Sequence, residues 1–345
     1  MAYGQKAFRK IQIGVESTHG TAVAATEVML GTLSVKPSDQ VWHKPEQDRG
    51  VLAMNVETPF EVSKEIELDF EGELYDSLLV LLASIGIRGN VTPTQPDDSG
   101  EPNHYLWLFE PTLTSPNTPD ATNGIETFTV EYGDNIQAYE VEYLFLTSLE
   151  ISGTVNEAIM VSATFMGRQV GEVSFTGSLS APSASYFAFN NSQLYIDTTY
   201  ANLGTTAKTG VLRAFTWTYE SMFTPLFAAD GSLFFSGIKE DKKKIDLELT
   251  FWRDDTITEA EFDKYQAQTT SYIRIALNSD TEMDSGQDNP EYVYLDGAFK
   301  YTEFPAIDDE SGTSVITVTA ESFYDVTSSK MFGVSIGTTM DALPS

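Results

Sequence analysis

Imidazole chemistry in this chain of 345 residues is limited to His19, His43 and His104. His19 lies in a Thr/Gly-rich turn, His43 in a long mixed stretch and His104 beside Tyr105. None has a second histidine or a carboxylate at ligand spacing on a shared helix, and there is no HExxH. Cysteine is absent. That removes thiol nucleophiles, thiolate metal sites and disulfides together. The sequence contains no GxSxG elbow, no GxxxxGK[ST] loop, and no GxGxxG between a strand and a helix. A Ser-His-Asp triad assembles in space and leaves no order to read, so it stays at its base rate. Carboxylates are so abundant that an acid pair for glycoside hydrolysis cannot be picked out by counting. The expectation is a protein that is not an enzyme, with no catalytic residue, no cofactor and no metal.

Two charged segments invite a sharper reading. Asp280-Thr281-Glu282-Met283-Asp284-Ser285-Gly286-Gln287-Asp288-Asn289-Pro290-Glu291 places acids at positions 1, 3, 5, 9 and 12, the spacing of a calcium loop. Its sixth position is Ser285 where such loops carry Gly, and its flanks read as strands, so a polar hairpin loop is the better reading. Lys242-Lys243-Lys244 reads as an offset to surrounding acidity at a strand start; a nucleic-acid patch needs more basic company. Over the whole chain 20 basic residues face 51 acidic ones, a formal charge of −31. Such a surface repels nucleic acid and anionic membrane. The longest purely apolar run, Leu78–Ala83, falls far short of the ~20 residues that span a bilayer, and the N-terminus has no apolar leader.

The elements that would position these residues are mostly strands. Period-two alternation rich in Thr, Val, Ile, Phe and Tyr runs through Val62–Glu71, Thr127–Tyr132, Glu140–Leu146, Leu149–Val155, Ile159–Phe165, Leu212–Glu220, Ile245–Phe251, Tyr272–Leu277, Ala298–Phe304 and Val315–Phe323. Only two stretches read as helices. Leu74–Ile85 has apolar residues near helical spacing and ends at Gly86; Thr258–Gln268 opens with a capping box of Thr258 and Glu261. Each helix follows an alternating strand and precedes another, so the order of elements repeats. Residues 1–180 carry 9 basic and 26 acidic side chains, and 181–345 carry 11 and 25. The chain therefore reads as mainly β, a tandem duplication with its boundary in the Gly/Ser/Pro-rich Thr176–Ser185.

Two segments fall outside the repeat. Ser34–Pro59 contains Trp42, His43 and Pro45, and the insert near 87–124 holds the apolar knot Tyr105-Leu106-Trp107-Leu108-Phe109. Loops of this length are functional or disordered, and aromatics inside one argue for docking. The most informative charges are Glu65, Glu67, Asp69 and Glu71, four acids on one face of one strand, with Asp246 and Glu248 as counterparts in the second half. Packing that face away from water would desolvate several carboxylates, each costing several kilocalories per mole. The face must see water, and these six are candidates to line an aqueous channel.

The segment Lys10-Ile11-Gln12-Ile13-Gly14-Val15-Glu16-Ser17-Thr18-His19-Gly20-Thr21-Ala22-Val23-Ala24-Ala25-Thr26, the block Leu149–Gly153 through Val161–Arg168, and the strand–helix core Ile66–Ile85 resemble the major tail tube proteins of long-tailed bacteriophages. The resemblance covers most of the first half and, more weakly, the second. It implies two tandem β-sandwich tube domains, 1–180 and 181–345, each with one flanking helix. Three copies would make a trimeric, pseudo-hexameric ring in which one sheet of each copy closes into a β-barrel, and the rings would stack into a tube. Its implied partners are the chain itself, the tape measure, tail terminator and tail-tip proteins, and genomic DNA passing without specific binding, with no membrane. Its place would be the virion tail, assembled in the host cytoplasm. Within that picture Val41 and Trp42 are candidates for contacts between rings, the C-terminal arm Met340–Ser345 could add to them, and the 87–124 insert would lie on the outer wall or between rings. The rival expectation is a surface adhesin of β-sandwich type, stacking sugars on Tyr105–Phe109 and holding calcium at the Asp280 loop.

Overall fold

The computed structural model describes residues 3–36, 41–45, 50, 52–53, 59–96, 100–253, 257–310 and 312–344. The chain is mainly β, built of large antiparallel sheets of the β-sandwich class that stay open, with two α-helices among the described residues. The first half contains β1 (Lys10–Val15), β2 (Glu27–Val28), β3 (Thr32–Lys36), β4 (Val41–His43), β5 (Phe60–Ser63), β6 (Ile66–Glu73), α1 (Asp76–Gly86), β7 (Tyr105–Phe109), β8 (Phe128–Gly133), β9 (Ala138–Thr154), β10 (Met160–Gly167) and β11 (Gln169–Val173). The second contains β12 (Phe187–Asp197), β13 (Ala207–Lys208), β14 (Leu212–Glu220), β15 (Phe223–Leu226), β16 (Gly237–Glu240), β17 (Lys244–Trp252), α2 (Ile257–Ala267), β18 (Ser271–Glu282), β19 (Pro290–Glu303), β20 (Asp308–Glu310), β21 (Thr313–Ser322) and β22 (Phe332–Thr338).

The pairing scheme of the first half recurs in the second. One sheet runs β2–β1–β8–β9–β11, and its counterpart runs β13–β12–β18–β19–β22. Across the sandwich, β3–β6–β10–β9 is matched by β14–β17–β21–β19. In each half one long strand, β9 or β19, turns the corner and belongs to both sheets. Both corner strands carry a bulge at a threonine whose hydroxyl donates to a carbonyl on the neighbouring strand: Thr147 to Thr164 at 2.9 Å, and Thr302 to Thr319 at 3.3 Å. A bulge admits one extra residue and adds local twist, which lets a continuous strand change sheets. The alternations expected at Glu140–Leu146 and Leu149–Val155 are therefore one strand, β9, and not two.

The two halves share a sheet. β14 hydrogen-bonds β9 from Ala214↔Thr154 to Glu220↔Ser148, so a continuous sheet runs β3–β6–β10–β9–β14–β17–β21. Its inner face buries Leu68, Phe70, Leu149, Ile151, Phe215, Trp217, Tyr219, Leu247 and Leu249. Helix α1 lies beneath it, between β9 and the second half's β19 and β22. Leu78, Leu79, Val80, Leu81, Leu82 and Ile85 are all buried, the composition of a helix covered on every side. Helix α2 lies against β19, and the rings of Phe262 and Tyr265 both meet Phe304, the residue that follows it.

Several expectations need correcting. The alternating run Val62–Glu71 breaks at Lys64-Glu65: Val62 belongs to the β4–β5 hairpin and is exposed, and the core strand starts at Ile66. Thr258, expected to cap the second helix from outside, is already the second residue of α2. The buried Glu261 carboxylate instead accepts from Lys264 Nζ at 2.9 Å and Tyr301 OH at 2.8 Å. The knot Tyr105–Phe109 is no docking patch. It is strand β7, paired with β22, with Trp107 and Phe109 in the core and Trp107 Nε1 donating to Met340 O at 2.7 Å. The same bond lays the start of the C-terminal arm on the core, where Met340 and Leu343 pack. Ser345 lies outside the described residues.

Candidate functional site: an acidic sheet face

The outer face of the joined sheet is built by register. Across it, one row reads Thr32, Glu71, Ser162, Glu150, Thr218, Asp246, Glu321, and the next reads Ser34, Asp69, Thr164, Ser148, Glu220, Lys244. The face also holds Glu67, Ser152, Thr216, Glu248, Thr250, Thr317 and Thr319. Hydroxyls and carboxylates supply most of it; at the end of β10, Met166 beside Glu67 packs instead against the buried Phe145, Phe223 and Phe235. Within the first row a hydroxyl separates Glu71 from Glu150 and Glu150 from Asp246. Those carboxylates stand two strand spacings apart, roughly 10 Å, a distance at which water and salt screen most of their repulsion. The one adjacent pair, Asp246↔Glu321, has Lys244 beside it: Lys244 Nζ donates to Asp246 Oδ2 at 2.6 Å. That hydrogen bond, ahead of the attraction of Asp246, Glu220 and Glu321, holds the Lys244 ammonium above its ordinary pKa. Asp69 Oδ1 accepts from Thr164 Oγ1 at 3.1 Å.

Of the six acids expected on a water-facing surface, Glu67, Asp69, Glu71, Asp246 and Glu248 stand on this single face, brought together by the β9–β14 pairing. Glu65 sits at the break one residue before β6. Glu150, Glu220 and Glu321 belong to the same face. Alternation marks each as pointing away from its strand's apolar side, but only the β9–β14 pairing makes it a member of this face. The counterpart relation between β6 and β17 was legible; the joining of the two sheets edge to edge was not.

Val41 and Trp42 lie on the β4–β5 hairpin, 48% and 47% exposed, with Phe60 and Val62 also exposed. The rest of the long stretch, at 37–40, 46–49, 51 and 54–58, lies outside the described residues. His19 Nδ1 bonds Thr127 Oγ1 at 3.0 Å, His43 packs its ring against Phe60, and the buried His104 bridges Glu101 and the Tyr292 hydroxyl. In the proposed calcium loop the buried Asp284 is turned inward to Asn103 and Asn289. Among the described residues no group of three or more His, Asp or Glu side chains is placed to hold a metal ion. Lys243 is withdrawn from the surface as well, paired with Glu240 over the Phe223 ring, and burial lowers its pKa.

One buried acid cluster has a measurable consequence. At the start of α1, Asp76 accepts from the Thr338 hydroxyl at 2.6 Å and from the Ser185 amide at 3.3 Å. Glu291 beside it is buried, its Oε2 has no hydrogen-bond partner, and burial together with the Asp76 charge raises its pKa from 4.5 to about 7. A carboxyl raised in this way stabilises the fold fully below about 4.5 and loses that contribution as pH rises through about 7. Glu291→Gln is therefore expected to gain about 3 kcal/mol relative to the parent between pH 4.5 and pH 8, read from urea midpoints at both values. A gain independent of pH would show that Glu291 is ionised at no cost.

No family model matches this chain, and no curated protein matches it.

Proposed function

We propose that the chain is a structural virion protein, the major tail tube subunit of a long-tailed bacteriophage. In this reading it polymerises into stacked rings that form a hollow, acidic-lined conduit for the genome. The observation that carries it is the outer face of the joined sheet, which runs unbroken through both halves and bears carboxylates and hydroxyls with Lys244 among them. A wall of this kind repels phosphates instead of capturing them, so DNA can pass without sticking. Glu67, Asp69, Glu71, Asp246 and Glu248, with Glu65 at the margin and Glu150, Glu220 and Glu321 added, are the lumen-lining residues. The recurring strand pairings support two tandem tube domains, 1–180 and 181–345. Three such chains then make a pseudo-six-fold ring, and closing the sheets around it removes exposed edges. The partners are further copies of the chain, the tape measure, terminator and tip proteins, and DNA in transit.

Negative-stain electron microscopy of concentrated protein, at salt high enough to screen the −31 charge, tests the assembly directly. Hollow rings or tubes with three-fold or pseudo-six-fold end views are expected; compact monomers under all such conditions would overturn the reading. The β4–β5 hairpin supplies contacts between rings, since its half-exposed aromatic is otherwise apolar surface left in water. Trp42→Glu is expected to leave the monomer within about 0.5 kcal/mol of the parent and to yield isolated rings in place of tubes. Tubes of normal length from this variant would remove the hairpin from the stacking contact.

A further inference from the structure

We infer that the chain carries the two halves of a head-to-tail joint with a second copy of itself, in which α2 of one copy seats in the open groove beside β3 of the next. This rests on the ring reading above and names the surfaces a ring would use. The template lies inside the chain. β9 is flanked by β10 and β14, and α1 beneath it is covered by the second half's β19 and β22. β14 and β3 hold the same place in their halves, next to the strand that leads into the helix. The end of β19, continued by β20, holds the place of β9, next to β21. The joined sheet begins at β3 and ends at β20, so its two ends are the counterparts of the two strands already joined at its centre.

The bulge threonines set the register. Thr164 and Thr319 accept equivalent bonds, so Asp69 corresponds to Glu248 and Ser34 to Thr216. Counting back the same distance from each, Met160 corresponds to Val315, and Ser152 therefore to Asp308. Since Thr216 faces Ser152 within the chain, Ser34 of one copy faces Asp308 of the next.

The grooves beside these ends are complementary. Next to β3 an open groove of about 1020 Å³ is lined by Lys6, Arg9 and Lys10 together with Ile11, Val35 and Tyr132. In a chain this acidic, three basic side chains against the one acid in the lining, Asp134, are a local reversal of sign. Helix α2 offers the matching chemistry, with Glu259, Phe262 and Asp263 all exposed. Beside it a second groove of about 690 Å³, lined by Phe262, Phe304 and Ile307, is open to receive β3. Where α1 is apolar on every side, α2 keeps a charged outer face that meets water before the partner arrives and a basic groove afterwards.

The absence of native cysteine makes the joint directly testable. Ser34 and Asp308 are exposed on strands at opposite ends of the sheet, roughly 30 Å apart at strand spacing, too far for a bond within one chain. The double variant Ser34→Cys/Asp308→Cys, oxidised under assembly conditions, is expected to give covalent dimers and trimers on a non-reducing gel. Mixing the two single variants should give dimers only, and neither single variant alone should cross-link. Adding Arg9→Glu and Lys10→Glu to the double variant should lower the yield about tenfold. Rings visible in the microscope without this cross-link would overturn the joint and leave the tube reading standing. Cross-linked dimers that never close into rings would keep the joint and overturn the tube reading. Neither rings nor cross-links would overturn both, and homodimers of a single variant would replace head-to-tail docking with a two-fold contact.

Discussion

Glu16→Ala is expected to cost about 3–4 kcal/mol, among the largest effects of any single polar substitution in this chain. The Glu16 carboxylate is buried, yet every oxygen is used. Oε1 accepts from the Tyr143 amide at 2.7 Å and from Thr129 Oγ1 at 3.0 Å; Oε2 accepts from the Gly20 amide at 2.7 Å and from Thr127 Oγ1 at 2.6 Å. These four donors come from the turn after β1, from the start of β8 and its approach, and from the corner of β9. Tyr143 sits at that corner with φ +56°, a left-handed conformation that costs a non-glycine residue roughly 1 kcal/mol or more. Its amide therefore needs a strong acceptor at a fixed point, and Glu16 is that acceptor. Alanine leaves two buried backbone N–H groups and two hydroxyls without it. The hydroxyls can rotate toward other acceptors; the amides cannot. Glu16→Gln keeps the shape but turns an NH₂ toward two of the donors, and it is expected to lose about 2 kcal/mol. Chemical denaturation of the two variants decides the matter. A loss below about 0.5 kcal/mol for alanine would mean that water takes over the carboxylate's role at the corner.

That corner shows where sequence reasoning runs out. Gly14-Val15-Glu16 reads as the end of a strand, and nothing in its spacing says that a carboxylate there fastens a bend more than a hundred residues later. Tyr143 carries no turn residue's signature either, so the run from Glu140 to Val155 reads as two strands with a gap at Thr147-Ser148. Alternation found most of the core strands because one face of each is buried, and period two survives wherever that holds. It failed at β7, where Tyr105–Phe109 lies in a polar insert and its apolar residues suggested docking. The strand needs β22 to cover it, and β22 is a short Gly-containing segment with weak alternation of its own. Helix α1 was legible in position but not in burial. Its all-round apolar surface makes sense only once the second half covers it. Tertiary partners, and not local propensity, decide these cases.

The acidic face divides in the same way. Glu67, Asp69 and Glu71 were visible as a row because they alternate with Leu68 and Phe70 on one strand. Glu150 and Glu321 were invisible as members of that face because membership depends on the edge pairing of β9 with β14. A one-residue slip in that pairing would turn every carboxylate on β14, β17 and β21 toward the core. What holds the register is the other side of the sheet, where Phe215, Trp217 and Tyr219 alternate with the outward Thr216, Thr218 and Glu220. The charge pattern of the surface is thus specified from within, by apolar side chains that never meet water.

Trp217→Ala follows from that dependence and is expected to cost about 3–5 kcal/mol. Trp217 is buried on β14, opposite Ile151 of β9 on one side and Leu247 of β17 on the other. Its ring stacks on Tyr219 at 6.2 Å and meets Phe332 of β22 edge-on at 6.5 Å, so it touches both sheets of the second half where that half joins the first. Alanine empties a volume that neighbours fixed by backbone pairing on both sides cannot refill. The indole also has a defect: Nε1 is buried and finds no hydrogen-bond partner. Trp217→Phe removes that unsatisfied donor while keeping most of the ring, so it is expected to lie within about 1 kcal/mol of the parent, the smaller ring's void offsetting the relieved amine. Because the residue sits at the seam, the alanine variant should also split unfolding, with the second half melting before the first in a calorimetric scan that shows one peak for the parent. A single, uniformly lowered peak would mean that the β9–β14 pairing alone keeps the halves cooperative, and a phenylalanine variant as damaged as alanine would show that the indole N–H has an acceptor after all.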